Sequence, residues 1–454
     1  GSEMCIRDRL SAAMGLLHEK KPRQYREFMD HRKWHYDLSR RWDGSFGILG
    51  GARYDNIEWG NCYPMAYVIP RKTLRLTGAP PTKFSRKYQL PEIPWGTRAD
   101  DIFVSLEPAA VPDGTRPDFS EETLTKDSAK PLISGWLAMV PIPDDVIRRY
   151  AHHPSFLVRR RAALSTMGFI PRYRGAPRGA PVRLDLAHEL FRSKDPRVRS
   201  AVITAMTMGF PSDQPDKCLT PEVFDGLIVM LKDPEESWWV KDRAQQLIGK
   251  AAPDRIVPHV DVIVPFLSHE EWWLQNAALI ALAPVVADER VYQRILPAIG
   301  ELLRTNQRWN VTSPLRWGLM ADNLGKAGPE VQKLAAATLK DSFQRYEGVT
   351  TTPAGLDITG NFNSHMEFLA GTLAKVPGGY DVLYTVAKER FPNDPLPYDK
   401  IFLGADPERF GPELKEAIAP IIREKLVYEF IGKNRRSLLP EMENTRQKLS
   451  LIHI

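Results

Sequence analysis

The chain has 454 residues, 43% hydrophobic and 26% charged content and a net charge of +6, the composition of an ordinary globular protein with ample material for a core. No apolar run approaches the roughly 18–20 residues of a membrane-spanning helix; the densest, Ala277 to Ala287, is interrupted by Pro284. The three cysteines, Cys5, Cys62 and Cys218, lack motif spacing, which argues against a disulfide framework and a cysteine metal site.

In chain order, the two ends come first because they form a pair. Met4-Cys5-Ile6-Arg7-Asp8-Arg9 and Leu449-Ser450-Leu451-Ile452-His453-Ile454 resemble translations of the two strands of one transposase sequencing adapter. Residues 1–9 and 449–454 are therefore expected to be cloning or assembly scars, with the natural protein continuing past both.

From Leu10 to Arg98 there are 16 basic and 8 acidic residues, so this segment holds the excess positive charge. Within it, Tyr25–Arg41 reads as an amphipathic helix bearing Phe28, Trp34 and Tyr36. It leads into Trp42-Asp43-Gly44-Ser45-Phe46-Gly47 and, after a glycine-rich stretch, a second helix from about Tyr63 to Leu76. A helix, an Asp-Gly-Ser-aromatic turn and a returning helix resemble one repeat of the α/α toroids of terpene cyclases and prenyltransferases, here over residues 10–77. One or two such repeats cannot enclose a cavity, and Asp100-Asp101 and Asp144-Asp145 lack the acidic pattern of a cyclase general acid. If the complete protein carries a catalytic toroid, most of it lies upstream.

Residues 78–143 are rich in proline and poor in periodicity, apart from a strand-like Ile102–Leu106. They read as a linker wrapped on the helices and anchored by Trp95, Phe103 and Trp136.

A repeat follows over residues 144–290. Four turns begin at His153, Asp195, Asp233 and His269, at intervals of 42, 38 and 36 residues. After each, an apolar residue stands four positions before an apolar or small one: Val158/Ala162, Val198/Val202, Val240/Ala244 and Leu274/Ala278. That spacing puts both on one helix face. A basic residue follows the first apolar one in three units (Arg159, Arg199, Lys241), and Gln275 breaks the pattern. Each unit has a partner helix upstream, such as Pro221–Leu231 and Ile256–Leu267. The pattern resembles the HEAT repeat. Joined to the toroid-like segment, it resembles an uncharacterised bacterial family carrying both elements, and that resemblance alone implies an exported protein.

Over residues 291–448, amphipathic helices are expected at Val291–Arg304, Pro314–Lys326, Pro329–Tyr346, Ser364–Lys375, Tyr380–Arg390 and Pro412–Ile431, with a loop at Gly348–Asn363. They continue the stack or cap it. The fold class is thus all-α, an α-solenoid of HEAT-like helix pairs preceded by a partial α/α toroid.

Groups that carry chemistry are sparse. Val146 to Leu184 holds nine arginines and no lysine or acid, including Arg159, Arg160, Arg161, Arg172, Arg174 and Arg178. This is either a solvated face or an edge for an anionic partner, since guanidinium groups take carboxylate, sulfate and phosphate in bidentate fashion. Trp238-Trp239 and Trp272-Trp273 each open a repeat helix, and adjacent positions point about 100° apart. One of each pair is expected near the surface, with Trp238 and Trp272 as a ligand platform or as interhelical packing. His-Glu pairs at 18–19, 188–189 and 269–270 occupy no shared position in the repeat, and His153 takes the turn place of aspartate, so a capping role is expected and no metal or cofactor is implied. Phosphate-loop, zincin, nucleophile-elbow and dinucleotide signatures are missing. The reading is a non-catalytic scaffold for a protein or other acidic polymer. Its rivals are a piece of an enzyme with an upstream toroid and a nucleic-acid-binding HEAT protein; oligomeric state is not encoded in these patterns.

Overall fold

The helices begin where the turn chemistry says they should. Asp195 accepts the backbone N–H of Arg197 at 2.8 Å while Pro196 takes the first helical position. Thr220 does the same for Val223 at 3.3 Å, ahead of Pro221. The residue at the turn need not be acidic: His269 Nδ1 accepts the N–H of Glu271 at 2.9 Å.

The computed structural model describes residues 20–40, 118, 142–153, 156–168, 181–306, 319–351, 357 and 359–433. Residues 10–19, the second toroid-like helix, nearly all of the linker, Arg172, Arg174, Arg178 and both terminal segments lie outside them. Among the described residues the fold is all-α, with single antiparallel bridges at Met167–Val182 and Thr351–Asp357. No helix there is long and apolar enough to cross a membrane. The chain divides into two compact units, Gly1–Arg255 and Ile256–Ile454.

The first unit contains α1 (Pro22–Ser39), α2 (Asp144–Ala151), α3 (Phe156–Thr166), α4 (Leu184–Phe191), α5 (Pro196–Met208), α6 (Pro221–Lys232) and α7 (Trp238–Ile248). Helices α2/α3, α4/α5 and α6/α7 pack as successive pairs, and the second members, α3, α5 and α7, pack side by side as one layer. This is a helical-repeat stack. Val158, Ala162, Val198, Val202, Val240 and Ala244 are all buried within it, the face that the four-residue spacing predicts.

The polar residue after the first apolar one has the same task in three of the four units. Arg159 donates to the His153 carbonyl at 3.0 Å, and Arg199 to the Ser193 carbonyl at 2.7 Å, each six residues back. In the second unit Gln275 donates to the His269 carbonyl at 2.7 Å over the same spacing. The glutamine that breaks the charge pattern therefore keeps its function, which is to tie the first turn of the helix to the preceding interhelical turn. Arg199 does more: its guanidinium grips Glu236, in the next turn of the stack, at 2.8 and 2.7 Å. The ion pair is inside the protein, with side chains 14% and 6% exposed.

The second unit begins with single α and 3-10 turns from Val257 to Ser268, where sequence periodicity predicts one helix over Ile256–Leu267. Pro258 and Pro265 each remove an N–H donor, and the segment breaks at both. It continues with α8 (Trp272–Leu282), α9 (Tyr292–Thr305), α10 (Leu319–Gly325), α11 (Pro329–Arg345), α12 (Thr359–Lys375), α13 (Gly379–Arg390), α14 (Asp399–Leu403) and α15 (Pro412–Lys433). Helix α11 packs on α9, α12 and α13, α12 packs on α13, and α15 closes against α13 and α14. Helix α12 starts five residues before the expected Ser364, because Asp357 accepts both the N–H and the hydroxyl of Thr359, at 2.9 and 2.6 Å.

Candidate functional site: the arginine segment and the paired tryptophans

The arginines that are contiguous in sequence are dispersed in space. Arg159 on α3 is 1% exposed, and its bond to the His153 carbonyl makes it part of the interhelical turn, not of a solvent-facing edge. Arg148 on α2 chelates Glu189 of α4, with contacts of 2.8 and 2.9 Å. Arg183 donates to the Ile142 carbonyl at 2.5 Å and pairs with Asp144 at 3.1 Å. The run from Val146 to Leu184 holds no acid of its own; the carboxylates that pair with these two arginines stand outside it, each about one repeat away in the chain. The Glu189 carboxyl is correspondingly held below the usual carboxylate range by its hydrogen bonds to Arg148.

Arg160 and Arg161 remain on the accessible side of α3, the first exposed and the second half-buried. Part of the Arg160 guanidinium is desolvated, and together with repulsion from Arg243 of α7 this lowers its pKa from the ordinary arginine value. Two cations from helices of the same layer thus act on each other. Arg149 is exposed on α2.

The tryptophans depart from expectation. Trp238 and Trp239 are only 4% and 2% exposed, and Trp272 and Trp273 are also buried. An isolated helix has one covered face; a helix inside a stack has neighbours on several, so positions 100° apart can both be enclosed. At Trp238 the extra cover comes from α1. His31 stands edge-on to the indole at 5.3 Å between ring centroids, and Trp34 lies at 6.5 Å. Trp273 donates its indole N–H to Glu271 at 2.8 Å. Neither Trp238 nor Trp272 offers an open stacking platform.

The histidines serve the fold. His188 Nε2 lies 3.2 Å from the Cys218 carbonyl, His269 accepts the Glu271 N–H in the turn before α8, and buried His153 packs edge-on to Tyr150 at 6.0 Å. Buried Cys218 has its thiol pushed up to about 12 by desolvation. Among the described residues no group of three or more His, Cys, Asp or Glu is arranged to hold a metal ion.

A groove of about 580 Å³ opens beside α2 and α4, with Val182, Leu184 and Pro211 in its walls. It is rimmed by the Arg148–Glu189 and Arg183–Asp144 pairs, so most of its charge is already satisfied internally.

The model of one family, a domain of unknown function (DUF6288), matches residues 8–78. That span overlies the segment delimited at 10–77, of which α1 is described. No curated protein matches the chain. Among solved structures, an engineered protein from a structural genomics consortium is similar with a TM-score of 0.34 at 16% identity, covering 50% of this chain and 97% of its own. A second engineered protein from that consortium gives 0.35 at 15%, covering 73% and 85%. A designed armadillo repeat protein gives 0.33 at 14%, covering 50% and 99%. The fold class stands on the helix pairing described above, not on these distant likenesses.

Proposed function

We propose that this chain is a non-catalytic helical-repeat scaffold that binds an acidic macromolecular partner along the α3 side of the first unit. The observation that carries the reading is the placement of Arg160 and Arg161 on the accessible side of α3, with Arg243 of the same helix layer close enough to repel Arg160. Arg243 itself pairs with Asp242 at 3.4 Å, so the positive charge offered to a polyanion on this side is chiefly that of Arg160 and Arg161. Arg172, Arg174 and Arg178 follow α3 in the chain and extend the same basic run. Arg159, buried in its turn, is not part of the proposed surface.

Fluorescence anisotropy with labelled heparin and labelled duplex DNA, each over a salt series, tests the proposal. Binding should weaken with salt, for duplex DNA with a log–log slope of about −0.9 per phosphate contacted. Replacing Arg160 and Arg161 with serine, or Arg172, Arg174 and Arg178 with serine, should weaken binding and flatten the slope. Failure of the wild type to bind either polyanion at low salt, or equal binding by both variants, would sink the idea. Heparin binding without DNA binding would assign the surface to acidic polymers other than nucleic acid.

A further inference from the structure

The second unit contains a groove whose charges, unlike those of the groove beside α2, have no ion-pair partner among the described residues. It has a volume of about 480 Å³ and runs between α12 and α14. That volume falls within the range of small-molecule sites. Glu367, Phe368, Gly371 and Lys375 line it from α12, with the three- and four-residue spacing of one helix face. Tyr398, Asp399 and Lys400 close it from the other side, together with Ile401.

Three observations bear on this groove. The first is electrostatic. Some exposed charges of the unit are paired, as in Arg304–Glu301 at 2.6 Å and Arg345–Asp341 at 2.5 Å. The side chains of Glu367, Lys375 and Lys400 have no hydrogen-bond or ion-pair partner among the described residues, and Asp399 accepts only the backbone N–H of Lys400, at 2.7 Å. Two carboxylates and two ammonium groups therefore converge on one concavity with their charges unspent.

The second is Gly371. Glycine weakens a helix interior and is usually kept there for close packing. A Cβ added at Gly371 meets nothing within 4 Å, so packing does not demand this glycine. What its missing side chain preserves is the open floor of the groove.

The third is Tyr398. It is the non-glycine residue with positive φ among the described residues, at 61°, a conformation that L side chains adopt at a cost. Its ring is fixed edge-on between Phe343 and Phe391, at 5.7 and 5.9 Å. Burial pushes its phenol up to about 12, so at neutral pH it presents a neutral hydroxyl.

We propose that this groove binds a short zwitterionic peptide: Glu367 and Asp399 receive the ammonium group, Lys375 and Lys400 the carboxylate, and Phe368 and Ile401 an apolar side chain between them. Opposite charges on both sides of an apolar floor are complementary to a ligand with charged ends and a hydrophobic middle, whereas a purely anionic polymer would meet two carboxylates. The site is independent of the basic surface on α3 and stands or falls without it.

Isothermal titration calorimetry on the full chain, with the tripeptide Gly-Leu-Gly and its N-acetylated, C-amidated form, tests the assignment. The free tripeptide should bind saturably, and the blocked form more weakly by about tenfold or more, having lost both charge-assisted contacts. Gly371→Leu should abolish binding while leaving the melting temperature unchanged or higher. The exposed double variant Glu367→Gln/Lys375→Met should also abolish it, and serves should the leucine disturb α12. The proposal is overturned if the free tripeptide shows no saturable binding at millimolar concentration, if the blocked form binds equally, or if a folded Gly371→Leu or double variant binds as the wild type does.

Discussion

Acidification should loosen the second unit through one residue, His365. The imidazole is fully buried on α12, with its Nε2–H donating to the Leu303 carbonyl at 2.9 Å in the last turn of α9. Tyr346 lies against the ring at 4.3 Å between centroids and Phe368 at 6.1 Å. Protonation would place a cation in this apolar setting. Burial therefore lowers its pKa to about 4, although the Leu303 carbonyl by itself favours the charged form. An unfolded histidine titrates near about 6.5. Between these values the unfolded chain holds the extra proton, so the native state loses stability as pH falls through the window and none of this loss occurs above it. At about 1.4 kcal/mol per pH unit, the two and a half units amount to about 3 kcal/mol by pH 4. His365→Gln removes the titration and keeps a donor for Leu303. Lost ring packing should make this variant less stable than wild type at pH 7. Its additional loss between pH 7 and pH 4 should be smaller than the wild type's by about 3 kcal/mol. Urea unfolding at a series of pH values, with hydrogen exchange of α12 amides to isolate the second unit, measures both. Equal pH slopes for the two proteins, or a native His365 imidazole titrating near 6.5 by NMR, would refute the reasoning.

Two further substitutions probe the repeat and the helix contacts. Arg199→Ala strands the Glu236 carboxylate at 6% exposure and should cost about 3–5 kcal/mol, comparable with the roughly 3 kcal/mol or more expected for Val198→Asp in the core. A thermal-unfolding loss under about 1 kcal/mol for Arg199→Ala would remove the arginine from the structural ladder. At Gly300 on α9, an added methyl would sit 2.5 Å from Thr338 Cγ2 on α11. Gly300→Ala should then destabilise by about 1–3 kcal/mol, and adding Thr338→Ser, which deletes the clashing methyl, should recover most of it in the same melt.

The local code in this chain is legible because helix formation and termination are local physics. The expected Pro329–Tyr346 differs from α11 by one residue, and the turns at Asp195 and His269 are fixed by side chains that accept a backbone N–H two residues on, at Asp195 as a helix cap and at His269 just before the helix. The four-residue spacing also identifies the buried face of α3, α5 and α7 without any knowledge of packing. The fate of the charges is not legible. Arg148 and Glu189 are 41 residues apart, as are the Arg183 guanidinium and the Ile142 carbonyl it binds, so a run of nine arginines with no acid inside it reads as free charge until the helices stack. The tryptophans escape sequence reasoning for a related reason: helix geometry fixes the angle between Trp238 and Trp239, but the number of covered faces depends on neighbours, including α1 from the other end of the unit. The groove at Gly371 follows the same division. A helix-interior glycine is visible in one dimension, while the open space beside it, and the convergence of Glu367 and Lys375 with Asp399 and Lys400, exist only once α14 is folded back onto α12. Periodicity and capping act over one helical turn and are written in adjacent residues; burial and charge pairing depend on which segments meet, and that is settled by the packing of the whole unit.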